Sequence, residues 1–187
     1  MNDGENKQTG SEKTIGKFQT EDEACLFFDE VVKDSGLFRI YKEVWGKLIY
    51  HRHWKEDKRT LRIDRILIPH KRVVDSGWEL GIIGVEIKKS DTKIGPPLAQ
   101  SIDYLDSVFY ITDAQWAIQL SHVFLFPVGE LHNNIASVCA QSHLGQCEIT
   151  RYKIHFKTGE STLFYYDITR DQITCNKNQN GKKIGSR

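Results

Sequence analysis

The sequence predicts a single α/β domain: a central mixed β-sheet flanked by helices, in the order α-β-β-β-α-β-α-β-β. Three observations carry that expectation. The run Leu80 to Lys88 has seven apolar or glycine positions out of nine, the composition of a strand covered on both faces. Two segments, Ala24 to Val32 and Leu98 to Phe109, repeat apolar residues at three- and four-residue spacing. The remaining apolar stretches are short, aromatic and β-branched, and are bounded by Gly or Pro. A chain of 187 residues suits one domain and is long enough to bury roughly 70% of its unfolded surface.

In order, residues 1–17 are polar and glycine-containing and predict a disordered tail. The folded domain spans 18–175. Thr20 followed by Glu23 forms a capping box that opens the first helix, with Ala24, Cys25, Phe27, Phe28, Val31 and Val32 on its apolar side and Gly36 as its stop. Leu37 to Tyr50 reads as one long strand or two, broken at Gly46. Thr60 to Ile68 is a strand ended by Pro69, His70 to Glu79 a polar turn, and Leu80 to Lys88 the apolar strand. Pro97 suits the first turn of a helix running through Tyr110. Trp116 to Val128 reads as one buried strand and Leu131 to Ser142 as a short helix. Glu148 to Thr158 and Thr162 to Thr169 form a hairpin around Gly159. Residues 176–187 predict a flexible basic tail, with Lys177, Lys182, Lys183 and Arg187 and no acid.

Net charge is +1, so global charge names no partner. Its distribution is more informative. His51 to Arg72 holds eight Lys or Arg against three acids, and Glu21 to Asp34 holds six acids against one Lys. A concentrated basic stretch fits an anionic ligand on one face, or a solvated strand and loop. No apolar run approaches the length that spans a bilayer, and Met1 to Gly10 has no secretory core segment. The four cysteines lack C-x-x-C spacing, which points to a reducing, cytoplasmic setting and away from an iron–sulfur cluster. No P-loop and no G-x-S-x-G element is present.

Two acids break apolar strand patterns. Glu86 interrupts the buried run two residues before Lys88, and side chains two apart on a strand share a face. Asp64 interrupts Leu61 to Ile68 in the neighbouring strand. If the strands pair, Asp64 lies beside Glu86. Carboxylates that converge repel unless a cation sits between them, and hard oxygen ligands suit Mg²⁺ or Mn²⁺, with the Ile87 carbonyl as a further ligand. Glu86-x-Lys88 alone equally fits a buried ion pair, with Asp64 paired to an arginine. In the following helix Gln100 and Tyr104 stand four apart, on one face.

Asp, then E-x-K, then Q-x-x-x-Y, in that order, resembles the PD-(D/E)xK nuclease superfamily, in particular its RecB-type and lambda-exonuclease-like members. The resemblance covers roughly Glu21 to Val128, with Ile63 rather than Pro before Asp64. It implies a restriction-endonuclease-like fold and a metal-dependent DNA nuclease. Asp64 and Glu86 would bind Mg²⁺ or Mn²⁺, Lys88 would assist the attacking water, and Gln100 and Tyr104 would position strand and substrate. It also implies a first-helix Glu near the metal; Glu21, Glu23 and Glu30 are candidates, and Glu23 is favoured. Arg62, Arg65, Lys89 and Lys93 are expected to contact phosphates. The chain carries no helicase, so it would act alone, as a homo-oligomer, or beside a larger recombination or repair partner. Alternatives are a catalytically silent nucleic-acid-binding module and an RNA nuclease. His51 and His53 share a strand face and suit either surface placement or a contact with phosphate or a metal. Among the aromatics Trp45, Tyr50, Trp54 and Trp78, stacking on bases is expected of Trp54 or Trp78, or else core packing.

Overall fold

The computed structural model describes residues 17–49, 60–111, 116–127, 131 and 133–176. The expectations for the two tails (but for Lys17 and Asn176), and for Tyr50, His51, His53 and Trp54, lie outside these residues, as does the first half of the basic stretch.

The capping box forms as its spacing dictates. Thr20 Oγ1 accepts the Glu23 N–H at 3.1 Å, and Glu23 Oε2 accepts the N–H groups of Thr20 and Gln19 at 3.3 and 2.8 Å. Helix α1 (Glu21–Ser35) runs from there to Gly36, whose φ of +63° is the left-handed conformation that glycine adopts freely. It buries Ala24, Phe28, Val31 and Val32. Strands β1 (Phe38–Leu48) and β2 (Thr60–Pro69) then pair antiparallel.

Several elements differ from expectation. The polar segment after Pro69 holds a short helix, α2 (Lys71–Asp75). Strand β3 (Ile83–Ile87) is shorter than its apolar run, because Gly81 at φ +66° bends the chain before it. Helix α3 (Gly95–Leu105) stops before Tyr110, and Ser107–Ile111 is instead strand β4, paired with Gly46–Leu48. The apolar stripe that extended the helix is real, but Phe109 packs over Gly46, where an added Cβ would stand 2.6 Å from its ring. The single strand expected from Trp116 to Val128 is two. Strand β5 (Trp116–Gln119) pairs with β4 at the sheet end, and β6 (His122–Phe126) runs parallel to β3 in its centre. After α4 (Asn133–Gln141) come β7 (Leu144–Ile149), β8 (Lys153–Thr158), β9 (Ser161–Asp167) and β10 (Gln172–Cys175). The β8–β9 hairpin turns at Gly159 as expected. The element order is therefore longer than predicted, with α2, β4, β7 and β10 added and one expected strand divided into β5 and β6.

The architecture is mixed α/β. Among the described residues ten strands form one sheet, in the order β10-β9-β8-β7-β6-β3-β2-β1-β4-β5, parallel only at β3–β6 and β6–β7. The sheet curls. Phe38 on β1 and Phe164 on β9 stand six places apart, about 29 Å in a flat sheet, yet their ring centroids are 5.6 Å apart. Helix α1 fills the concave side with Phe28, Val31 and Val32 against Phe38, Val85, Phe126, Phe156 and Phe164. On the other side Tyr104 of α3 joins Val44, Ile63, Ile66, Phe109 and Val123.

Candidate functional site

Strands β1 and β2 change face together in mid-length. Near Pro69, the odd residues Arg65 and Leu67 and the even residues Phe38, Ile40 and Lys42 face α1, with Arg65 and Lys42 both bound to Asp29. Toward the other end, odd Ile63 and even Val44 belong to the α3 side. In a regular strand this is impossible, because alternate residues keep one face. The pair that absorbs the change is Glu43 and Asp64. They are the one position skipped in an otherwise constant register, and Glu43 has φ +49°. Bulges and kinks of this sort re-aim side chains. Here Asp64 is aimed along the sheet: its Oδ2 accepts the Ile87 N–H at 2.7 Å. The β2–β3 ladder runs from Leu67–Ile83 to Arg65–Val85 and no farther, so a carboxylate takes the place of the next backbone partner.

The two acids and the lysine predicted from the strands meet at this splayed end. Lys88 Nζ lies 2.8 Å from Glu86 Oε1, 3.9 Å from Asp64 Oδ2 and 3.4 Å from Glu21 Oε1. Glu86 is 1% exposed, and its carboxyl is pushed up to about 7. Burial is the main cause and the charge of Asp64 the second, with Lys88 and Tyr104 opposing them. Burial pulls the Lys88 ammonium down, but the carboxylates around it outweigh that and raise it above the ordinary lysine value.

Tyr104 ties α3 to both strands. Its hydroxyl receives the Gln100 side-chain amide and faces the Arg62 carbonyl at 2.7 Å and Glu86 Oε2 at 3.1 Å. One hydroxyl proton serves two acceptors, so ionised Glu86 gains less than a full hydrogen bond from it. Gln100 and Tyr104 thus belong to the site by contact.

Other predicted residues fall elsewhere. Glu23 is not the first-helix acid beside the site. Its carboxylate caps α1, and Glu21 is the one that reaches Lys88. Glu30 is exposed, seven residues after Glu23 and two turns along the helix. Arg65 does not face solvent for phosphate contact: it is 5% exposed and grips Asp29 with two bonds of 2.6 and 3.0 Å. Its third bond, 2.7 Å to the Asp64 carbonyl, holds the kink in place. Arg62, Lys89 and Lys93 are exposed. Trp78 is core, packed edge-on against Phe38 and Phe164 with its indole N–H on the Gly81 carbonyl. The sequence reading missed Asp29, which anchors Arg65 and Lys42. Its signal is an acid on the buried side of an amphipathic helix, one residue after Phe28.

Among the described residues no three His, Cys, Asp or Glu side chains are grouped to hold a metal ion. The strand-borne hard-oxygen donors are the Asp64 and Glu86 carboxylates, with the Glu21 carboxylate of α1 also on Lys88. The Ile87 carbonyl leaves the strand on the same edge as the N–H bound to Asp64. Two carboxylates, one of them strongly desolvated, and a carbonyl fit a Mg²⁺ or Mn²⁺ ion with retained waters. All four cysteines are free. No helix among the described residues is long and apolar enough to cross a membrane. Compared with known protein families, with curated proteins and with solved structures, the chain finds no match.

Proposed function

We propose that this chain is a Mg²⁺- or Mn²⁺-dependent deoxyribonuclease of the PD-(D/E)xK type, on a restriction-endonuclease-like fold. The observation that carries the reading is the convergence of Asp64 and Glu86 on Lys88 Nζ, at 3.9 and 2.8 Å, beside Tyr104 and Gln100. The positive charge between the carboxylates is here Lys88's own. Asp64, Glu86 and the Ile87 carbonyl would hold a divalent cation, with Lys88 turned from Glu86 toward the scissile phosphate. The bound ion supplies activation of a water and stabilisation of charge on the phosphorane. Lys88 donates to that water or to a phosphate oxygen. Tyr104 and Gln100 keep Glu86 in position, and exposed Lys89 and Lys93 lie close in sequence to take flanking phosphates.

The test is cleavage of single-stranded, double-stranded and branched DNA, and of RNA, with Mg²⁺, Mn²⁺ or EDTA. Metal-dependent cutting by the wild type, lowered at least about a hundredfold in Lys88→Ala and Glu86→Ala, supports the reading. Equal cutting by either variant, or cutting in EDTA, overturns it. The closed Glu86–Lys88 ion pair at 2.8 Å favours a second reading, a catalytically silent nucleic-acid-binding module. Calorimetry separates the two, since that module binds no Mn²⁺.

A further inference from the structure

Where β1 and β2 change face, they also open a surface. Trp45 and Arg62 are direct cross-strand partners, and Lys47 pairs with Thr60 on the same side. Gly46 and Phe109 point the other way, toward Tyr104, so Tyr110 on β4 shares the face of Trp45. No described helix covers this face: Trp45 is 58% and Tyr110 49% exposed. A groove of about 430 Å³ runs along it, lined by Lys42, Trp45, Lys47, Thr60 and Tyr110 among others. The Arg62 guanidinium stands 5.9 Å from the centre of the Trp45 ring.

We infer that this face is a stacking platform for unpaired bases, and that the DNA it takes is single-stranded at the point of contact. The inference rests on the nuclease reading for its choice of DNA. An exposed indole beside a phenol ring offers flat apolar area without a core to fill. Lys47 and Arg62 against Glu43, with Lys42 already held by Asp29, leave the surroundings net cationic, which suits a phosphate backbone and not an apolar peptide. Duplex DNA keeps its base faces inside its own stack, so aromatic platforms meet bases only where pairing is absent. The platform is joined to the site by the chain itself. Asp64 follows Arg62 by two residues, about 7 Å along a strand, and the Arg62 carbonyl accepts the Tyr104 hydroxyl. Arg62 thus touches the platform with its guanidinium and the Tyr104 end of the site with its carbonyl.

The experiment measures binding of fluorescein-labelled oligo(dT), the matching oligo(rU) and a duplex of equal length, by anisotropy with the full chain in EDTA. Cleavage is then silent, so the result does not depend on the nuclease reading. Trp45→Ala is expected to weaken oligo(dT) binding at least about tenfold, and Trp45→Phe to keep most of it, with thermal unfolding unchanged in both. Duplex binding is expected to be weaker and indifferent to Trp45. Equal oligo(dT) affinity of Trp45→Ala and wild type overturns the platform, as does an equal loss on duplex. Tighter binding of oligo(rU) than of oligo(dT) overturns the choice of DNA.

Discussion

Replacing Glu86 by Gln should stabilise the metal-free protein, and more so as pH rises. The Glu86 carboxyl titrates at about 7 in the fold against 4.5 for the free group. Between those values the folded state holds a proton that the unfolded chain has released, so stability falls as pH rises through this window. The loss is absent below about 4.5, complete above about 7, and amounts to about 3 kcal/mol. Glutamine has the same shape, keeps one acceptor oxygen for Lys88 while its NH2 group turns to the Tyr104 hydroxyl, and carries no charge to desolvate. For a domain of this size 1 kcal/mol moves Tm by about 2–4 °C. Part of that loss precedes pH 5, so the Tm of Glu86→Gln minus that of wild type should grow by about 5–10 °C between pH 5 and pH 8. Taking the difference cancels groups that titrate alike in both proteins. The assay is thermal unfolding in EDTA across that range, followed by far-UV circular dichroism. A difference independent of pH would refute the argument that burial and Asp64 hold the Glu86 carboxyl up. Mg²⁺ should reverse the trend in wild type alone, because a cation favours the ionised form.

Tyr104→Phe should cost about 1–3 kcal/mol in denaturant unfolding, since the Arg62 carbonyl and the Gln100 amide lose a buried partner. Arg65→Met should cost about 2–4 kcal/mol by leaving Asp29 with Lys42 alone, and Arg65→Lys should recover little, because one ammonium cannot reproduce the paired bonds to Asp29 and the bond to the Asp64 carbonyl. Gly145→Ala should destabilise by about 1–3 kcal/mol, since its Cβ would stand 2.6 Å from the Lys157 carbonyl, which cannot swing away within the ladder. Unfolding midpoints indistinguishable from wild type would contradict each of these.

The parts of the site that the sequence revealed are those governed by short periodicities. Glu86 and Lys88 share a face because strands alternate, and Gln100 and Tyr104 share one because helices repeat every four residues. Arg65 was expected to meet phosphate and is buried instead. Alternation from Ile63 would put it on the α3 side, but the Glu43–Asp64 kink turns it toward α1, and neither residue type announces a kink. Glu21 was legible in principle. The capping box had already assigned the Glu23 carboxylate to backbone N–H groups, which left Glu21 as the neighbouring acid free to turn toward β3. The overrun of α3 into β4 has a different origin. Val108 and Phe109 suit either a helix stripe or a strand, and only the space over Gly46 decides. Trp78 was placed near the site by sequence distance, whereas the curl of the sheet draws it under β9.

The paired kink also bears on how such a hairpin can change by insertion and deletion. Glu43 and Asp64 are opposed, so the Cα partners keep one constant offset along the entire hairpin although both strands turn over. Loss of either residue alone would shift every partner on one side of it by a position. Loss of both would leave the remaining partners matched, with the ladder intact, and would also keep the faces as they are, because Lys42 would then adjoin Val44 and Arg65 would adjoin Ile63, which plain alternation puts on opposite sides. Straightening the kink with both residues kept is what would exchange inside for outside across half the hairpin, turning Trp45 and Arg62 inward toward α3 and Val44 and Ile63 outward. A comparison of pairing alone would not detect that exchange. In this hairpin, hydrogen-bond register and sidedness are separate variables, and Asp64 stands where they come apart.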